Sequence, residues 1–417
     1  MHIIVLAWEP TSLRGGQETV LFDVCRGLAQ RGYTISLLYT KEGDLLQRYQ
    51  EFCKHTIKVH RFIISLPGHI FNFLADIRNI SGKISTFENS IVLCNQVTDT
   101  PFGYALALSQ NIPLVCYLHY PPIRPSWIAE SKGIKRLKYF LLEPIHKFQW
   151  TTALKKVKRF IAVSIQMKLD WINSGYKEGL EEIIDVVYNG IDLELYKPAN
   201  DLSRIRKEWN IPTNISVISY VGRIDKQKGL ETLIKAFALL LKTGVHTKLL
   251  IAGQPVAQGE EYKKYLEQLA TDLGIENHVD FLGHITNTTS LYQVSDVTVL
   301  PSLWSEPFGR VIVESMACGT PVVASRIGGI PESLTGEFQN GLFEPGNERD
   351  LLESLHRIVS WRAKDPSMGE RCREHIISKF SLDKMVDGVE KVLEHHLSNS
   401  SHNPLLKRLS TESYKIN

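Results

Sequence analysis

The chain has 417 residues, 43% of them hydrophobic and 22% charged, which fits two domains of roughly 200 residues each and an ordinary globular enzyme. Its 48 basic and 45 acidic residues leave a formal charge of +3, a near-balance that argues against a dedicated nucleic-acid binder. No stretch approaches the roughly 18 apolar residues of a membrane span, and the six cysteines (Cys25, Cys53, Cys94, Cys116, Cys318, Cys372) form no C-x-x-C pair, so they read as reduced, buried thiols.

In chain order, His2 to Trp8 is a short apolar run with no basic segment before it. It reads as a first buried strand and not as a signal peptide, so a cytoplasmic protein is expected. Strands follow at 33–40, 57–63, 91–95, 113–118 and 159–163, with helical patterns between them at 17–30, 99–110 and 165–174. The turn after the first strand, Leu13-Arg14-Gly15-Gly16-Gln17-Glu18-Thr19, has paired glycines that let backbone approach a phosphate or sugar; a plain tight turn is the simpler reading, and it is not a G-x-G-x-x-G fingerprint. His119 closes the strand 113–118 and precedes Tyr120-Pro121-Pro122, where it either reaches into a cleft or is buried as a structural group.

Neither period holds across the polar stretch 197–214, which contains Pro198 and Pro212, so the domain boundary is expected there. Beyond it the pattern resumes with strands at 216–222, 247–252, 278–282, 297–300, 321–325 and 341–344. Leu230, Leu233, Ile234, Phe237, Leu240 and Leu241 recur on one face of a helix between the first two. Strands alternating with helices imply right-handed βαβ units and parallel sheets. The expected class is therefore α/β, with two doubly wound, Rossmann-like parallel-sheet domains facing across a cleft where ligand binds. A terminal helix is expected over 381–397 and a disordered tail over 398–417.

Two segments of the second half carry chemistry. In Val221-Gly222-Arg223-Ile224-Asp225-Lys226-Gln227-Lys228-Gly229-Leu230, Arg223 and Lys228 follow the carboxyl end of a strand. Cations there would stabilise a departing diphosphate more in the transition state than in the ground state; a solvated basic loop is the plainer alternative. In Leu300 to Glu314 a helix is expected to start near Pro307, with Glu306 just before it and Glu314 two turns in, so that both carboxylates project on one side. They suit sugar hydroxyls; a capping residue and an ordinary surface glutamate are the plainer reading.

Taken in order, Gly15-Gly16, His119, Tyr188-Asn189-Gly190-Ile191-Asp192, Arg223, Lys228, the E-x(7)-E pair Glu306/Glu314, Ala317 to Ala324 and Gly328-Gly329-Ile330-Pro331-Glu332 resemble the family-4 retaining glycosyltransferases of GT-B architecture over nearly the whole chain. The resemblance implies an acceptor-side domain over 1–198 and a nucleotide-sugar domain over 199–380, with the helix at 381–397 packing back on the first. It implies a hexosyl transfer in carbohydrate biosynthesis, from a nucleotide-diphosphate sugar to a carbohydrate or lipid-linked acceptor, with no cofactor and no metal. It also implies roles: Glu314 for the donor ribose, Glu306 for the sugar hydroxyls, and Arg223 and Lys228 for the diphosphate. Gly16, beside Gly15, would approach the donor phosphate, His119 would line the sugar site, and Phe308 and Gly309 would present backbone amides to the sugar. One departure is Gln254-Pro255 after Ile251-Ala252-Gly253, where many relatives carry a second glycine.

The stretch 131–159 holds nine Lys or Arg (Lys132, Lys135, Arg136, Lys138, Lys147, Lys155, Lys156, Lys158, Arg159) against one acid, Glu143, with Tyr139, Phe140, Phe148 and Trp150 interleaved. It is either a solvated helix pair whose aromatics face the core, or a surface for anionic lipid that would give a peripheral membrane contact. The rival functions are a nucleotide-sugar epimerase or glycosyl phosphorylase on the same scaffold, and a non-catalytic binding subunit.

Overall fold

A computed structural model of the chain describes residues 1–13, 15–84, 89–122, 134–255 and 259–400, with 134–143 and 396–400 as backbone only. The chain divides into two compact units. The first comprises 1–163, 167–187 and the chain from Met385 onward; the second comprises 164–166 and 188–384. The change of unit at 187/188 lies upstream of the polar stretch 197–214. That stretch is instead built into the second unit: Ile211, with Ile205 and Trp209, packs on Val217, Leu250, Leu291 and Val294, and the Arg206 guanidinium lies 3.8 Å from the Asp296 carboxylate.

In the first unit, seven strands form one parallel sheet in the order β3-β2-β1-β4-β5-β6-β7. They are β1 (His2–Ala7), β2 (Thr34–Tyr39), β3 (His55–Lys58), β4 (Ser90–Cys94), β5 (Leu114–Leu118), β6 (Arg159–Ala162) and β7 (Ile184–Val186). Ile3 to Ala7 are wholly inaccessible to solvent, because helices cover both faces of such a sheet and its strands read as unbroken apolar runs. Among the connecting helices are α1 (Gly16–Gln30), α2 (His69–Lys83) and α3 (Ile134–Leu154). Strand β3 lies earlier than the expected 57–63: Val59 and Phe62 are buried, but in a loop. Strand β7 went unread in the sequence, being three residues long with Asp185 at its centre.

The terminal helix runs over Leu382–Ser400. Within the first unit it buries Val386, Val389 and Leu393 and lays Val386 against Gly27, where an added Cβ would come within 2.6 Å of it. Arg31 pairs with Glu390 at 2.5 Å and Tyr33 donates to Glu394 at 2.6 Å. Beyond Ser400, the tail expected over 398–417 lies outside the described residues.

The second unit holds six parallel strands in the order β10-β9-β8-β11-β12-β13: β8 (Ser216–Val221), β9 (Thr247–Ala252), β10 (Val279–Gly283), β11 (Val297–Leu300), β12 (Val322–Ser325) and β13 (Leu342–Phe343). Helix α4 (Leu230–Lys242) turns Leu230, Leu233, Ile234, Phe237 and Leu240 into the core with no exposure at all. Each such burial contributes about 1.5–3 kcal/mol. Helix α5 (Arg310–Ala317) starts three residues later than the sequence suggests. Gly309, in the left-handed region at φ 86°, holds the loop out of helical geometry until Arg310.

All six cysteines are free, and five of them are buried. No helix among the described residues is long and apolar enough to cross a membrane.

Candidate functional site

Each sheet reverses its direction of winding once, between β1 and β4 in the first unit and between β8 and β11 in the second. Loops leaving two neighbouring strands at such a point run apart and open a crevice beyond their carboxyl ends, the usual ligand position in open α/β sheets. In both units a buried polar cluster lies there.

In the second unit the loop after β8 meets the loop after β11. Lys228 Nζ lies 2.5 Å from Glu306 Oε1, and the Ser302 hydroxyl donates to the same oxygen at 2.6 Å. The two charged side chains are only 13% and 10% exposed. A backbone bond clamps these two loops together, the Leu303 N–H donating to the Gln227 carbonyl at 2.7 Å, and the loop after β12 adds a second, the Gly329 N–H donating to the Glu306 carbonyl at 2.8 Å. Gly328 closes the cradle from behind. Its φ of 61° favours glycine, and a Cβ there would fall 2.3 Å from the Glu306 carbonyl oxygen. The close approach of two backbones therefore requires this residue.

Glu314 is held separately. It lies inside α5, accepting from Tyr292 Oη at 2.8 Å and from Arg310 Nε at 2.7 Å. Since Glu306 precedes the helix, the two-turn spacing that was expected to align the carboxylates does not apply. Burial and the neighbouring Glu314 push the Tyr292 phenol well above its ordinary range, so it remains a donor. Arg223 is 52% exposed and leans on Asp225 at 3.5 Å. The Phe308 ring packs against Tyr188 and Phe380 with centroids 6.1 and 5.6 Å away. Following Gly253, the chain at Gln254-Pro255 bridges to the loop after β8, with the Ile224 N–H donating to the Gln254 carbonyl at 2.9 Å.

In the first unit, Gly15 (φ 147°) precedes α1 and Gly16 is its first residue; Arg14 lies outside the described residues. Glu18, in the first turn, is 3% exposed. Its carboxylate accepts from three side-chain amides: Gln17 and Asn95 at 3.0 Å and Gln96 at 3.2 Å. Asn95 follows β4, and its Oδ1 lies 3.1 Å from Nε2 of His119, which follows β5. His119 is buried, stacks on Tyr117 at 4.8 Å, and is pushed down to about 3 by burial. The imidazole is thus neutral at ordinary pH.

This chain of bonds also decides the tautomer. A carboxylate only accepts, so Asn95 must turn its amide nitrogen to Glu18 and its oxygen to His119. Nε2 of His119 therefore carries the hydrogen, and Nδ1 is left as the acceptor.

Of the residues marked in the sequence, the fold brings Lys228 and Glu306 into contact. It does not join Arg223 to that pair by any hydrogen bond among the described residues. Ser302, Tyr292, Arg310, Glu18, Asn95 and Gln96 were missed. The only signal for any of them was Glu18, an acid in the first turn of a helix behind two glycines.

Residues 14–195 match the family described as Glycosyltransferase Family 4, and residues 201–375 match Glycosyl transferases group 1. The chain belongs to glycosyltransferase family 4. It is similar over most of its length to an uncharacterized glycosyltransferase of Methanocaldococcus jannaschii, 26% identical over 92% of this chain and 96% of the other. A match to the N-acetyl-alpha-D-glucosaminyl L-malate synthase of Bacillus anthracis is 33% identical and spans about half of each, 50% of this chain and 53% of that one. Among solved structures, Anabaena HepE, crystallised in complex with UDP, superposes with a TM-score of 0.77 at 23% identity, covering 95% of this chain and 100% of that one. The chain therefore has the α/β, GT-B fold, with a Rossmann-like parallel sheet in each unit.

Proposed function

We propose that this glycosyltransferase moves a hexose from a nucleotide-diphosphate-sugar donor to a hydroxyl of a carbohydrate or lipid-linked acceptor, with retention at the anomeric carbon. The observation that carries the reading is the Lys228–Glu306 contact at the switch point of the second sheet. It sets a cation suited to phosphate beside a carboxylate suited to sugar hydroxyls. The UDP bound to HepE supports a nucleotide donor.

In this reading Arg223 and Lys228 hold the diphosphate and stabilise the charge it gains as it leaves. Glu306 accepts hydrogen bonds from sugar hydroxyls and Glu314 from the ribose. The N–H groups of Phe308 and Gly309 donate to the sugar. In the first unit, Gly15 and Gly16 admit a donor phosphate close to the start of α1, and neutral His119 accepts a sugar hydroxyl hydrogen through Nδ1. The anomeric carbon–oxygen bond breaks with its electron pair going to the diphosphate. The acceptor oxygen bonds to that carbon on the same face, and its proton passes to the departing phosphate oxygen.

The test is a thermal-shift screen against UDP-, GDP- and ADP-sugars, since a ligand of the folded state raises the melting temperature. Transfer to a hydroxyl acceptor is then followed by NMR of the product's anomeric proton. An α-linked donor should give an α-linked product. A coupling diagnostic of inversion refutes retention, and epimerisation or phosphorolysis of the donor without acceptor refutes transfer.

A further inference from the structure

The first unit carries an apolar surface that its own fold leaves uncovered. In α2, Ile70, Phe71 and Leu74 point outward, Phe71 with 76% of its surface exposed, while Phe73, Ile77 and Ile80 of the same helix are buried. The loop before α2 adds exposed Leu66, and α3 adds Ile145 and Phe148, the latter 71% exposed. The segment before α2 is pinned to α3. The Gln149 side-chain amide of α3 both donates to the Ile64 carbonyl (2.7 Å) and accepts from the Ile64 N–H (3.0 Å), and His146 bonds Ser65 at 3.0 Å. Six large exposed apolar groups on this segment and the two helices exceed the scattered exposure normal for a soluble surface.

The charge around them has one sign. Arg78, Lys83 and Lys147 are exposed, as are Lys155, Lys156 and Lys158 beyond the end of α3. Over 59–83 and 144–159 the sole acid is Asp76, and it is turned inward, accepting from the His60 backbone at 2.8 Å and from the His60 ring at 3.0 Å. The aromatic side chain of Phe148 faces solvent, which departs from the alternative in which the aromatics of this stretch face the core; Lys132 and the side chains of Lys135, Arg136, Lys138, Tyr139, Phe140 and Glu143 lie outside the described residues.

We propose that the Leu66–Leu74 and Ile145–Phe148 surface seats this protein on an anionic lipid surface, its apolar side chains entering the acyl boundary and its lysines and arginines meeting the headgroups. Stable attachment of a soluble chain takes two weak signals acting together, and this surface supplies both. A second copy is the poorer occupant, because two such faces brought together would set cation against cation. This goes beyond the proposed transfer reaction and does not depend on it.

Co-sedimentation of the whole chain with vesicles tests the inference. Wild-type protein should pellet with phosphatidylcholine vesicles containing about a third phosphatidylglycerol. It should do so at least about tenfold less with phosphatidylcholine alone, and should be released at about 1 M salt, where the screening length falls to about 3 Å. Phe71→Ser with Phe148→Ser should lower the bound fraction by about tenfold or more, with unchanged circular dichroism and gel-filtration volume. Lys147→Glu should weaken binding to the anionic vesicles alone. Wild-type protein remaining in the supernatant at low salt overturns the proposal. So does a concentration-dependent dimer in sedimentation velocity that Phe71→Ser abolishes, since a second copy would then cover the face.

Discussion

Breaking the Lys228–Glu306 pair should cost far more than breaking a surface ion pair. At 2.5 Å and an effective dielectric of about 20, the gross attraction is about 6–7 kcal/mol, most of it offset by the desolvation both groups have already undergone. What a single substitution exposes is the residual charge. Lys228→Met leaves the Glu306 carboxylate about nine-tenths buried, with the Ser302 hydroxyl still donating to Oε1. Removing one partner of such a pair costs about 3–5 kcal/mol; the remaining exposure and the serine place this case near about 3 kcal/mol. Glu306→Leu should cost a similar amount by stranding the ammonium. The double variant should recover much of the loss, because two apolar side chains strand nothing.

Urea denaturation of the four proteins gives the coupling energy directly, and nucleotide binding by calorimetry can be read on the same samples. A coupling energy below about 0.5 kcal/mol, the level at which distant sites already add, would refute the reasoning. It would mean that the pair is solvated and the loops after β8 and β11 are not joined through it.

Arg223→Ala, removing a half-exposed cation, should lower turnover by roughly 10²–10³ with little change in urea midpoint, and wild-type turnover should persist in chelator; full activity of the variant or loss of wild-type activity in chelator contradicts the assignment. Burial lowers His119 to about 3 and His2 to about 4, so the unfolded chain takes up protons first as pH falls below about 6.5. Stability should drop by about 2 kcal/mol through the fully buried His119 between pH 7.5 and 5, and by less through the half-buried His2, whose charge solvent screens, measured by chemical denaturation; His119→Gln should remove its share, and an unchanged slope contradicts the burial of that ring. Gly328→Ala, which drives a Cβ into the Glu306 carbonyl at 2.3 Å from a left-handed backbone, should destabilise by at least about 1–3 kcal/mol and weaken nucleotide binding, whereas a wild-type melting temperature would show the cradle to be loose.

The strands that form the core were legible because both faces of these sheets are covered. Continuous runs such as Ile3 to Ala7 have no other use than burial, and their limits were readable to within a residue or so. Strand β3 shows where that logic fails. Val59 and Phe62 are as buried as strand residues but sit in a loop, and apolarity alone reports burial, not ladder bonding. Strand β7 shows the opposite failure, since three residues around an aspartate carry no period. The polar stretch 197–214 looked like a linker because only Ile205, Trp209 and Ile211 tie it to the apolar cluster of Val217, Leu250, Leu291 and Val294, too few and too unevenly spaced to show a period.

The clusters were legible only as their separate parts. Lys228 and Glu306 are 78 residues apart and Glu18 and Asn95 are 77 apart; each pair meets because the sheet places strands that are distant in sequence side by side. In the first unit the strand after β3 returns to the far side of β1, and in the second the strand after β10 returns to the far side of β8. The segment leaving β1 then confronts the one leaving β4, and the loop after β8 confronts the loop after β11. A sequence pattern marks residues that need special backbone, such as the glycines, or that carry charge, such as Lys228. It does not mark an asparagine whose work is to face a carboxylate on one side and an imidazole on the other. Asn95 is that residue: with Glu18 fixing its amide, it settles which nitrogen of His119 bears the hydrogen. The strand order, which alone brings those three groups together, therefore determines the hydrogen-bonding character of a histidine that the sequence could only place at the end of a strand.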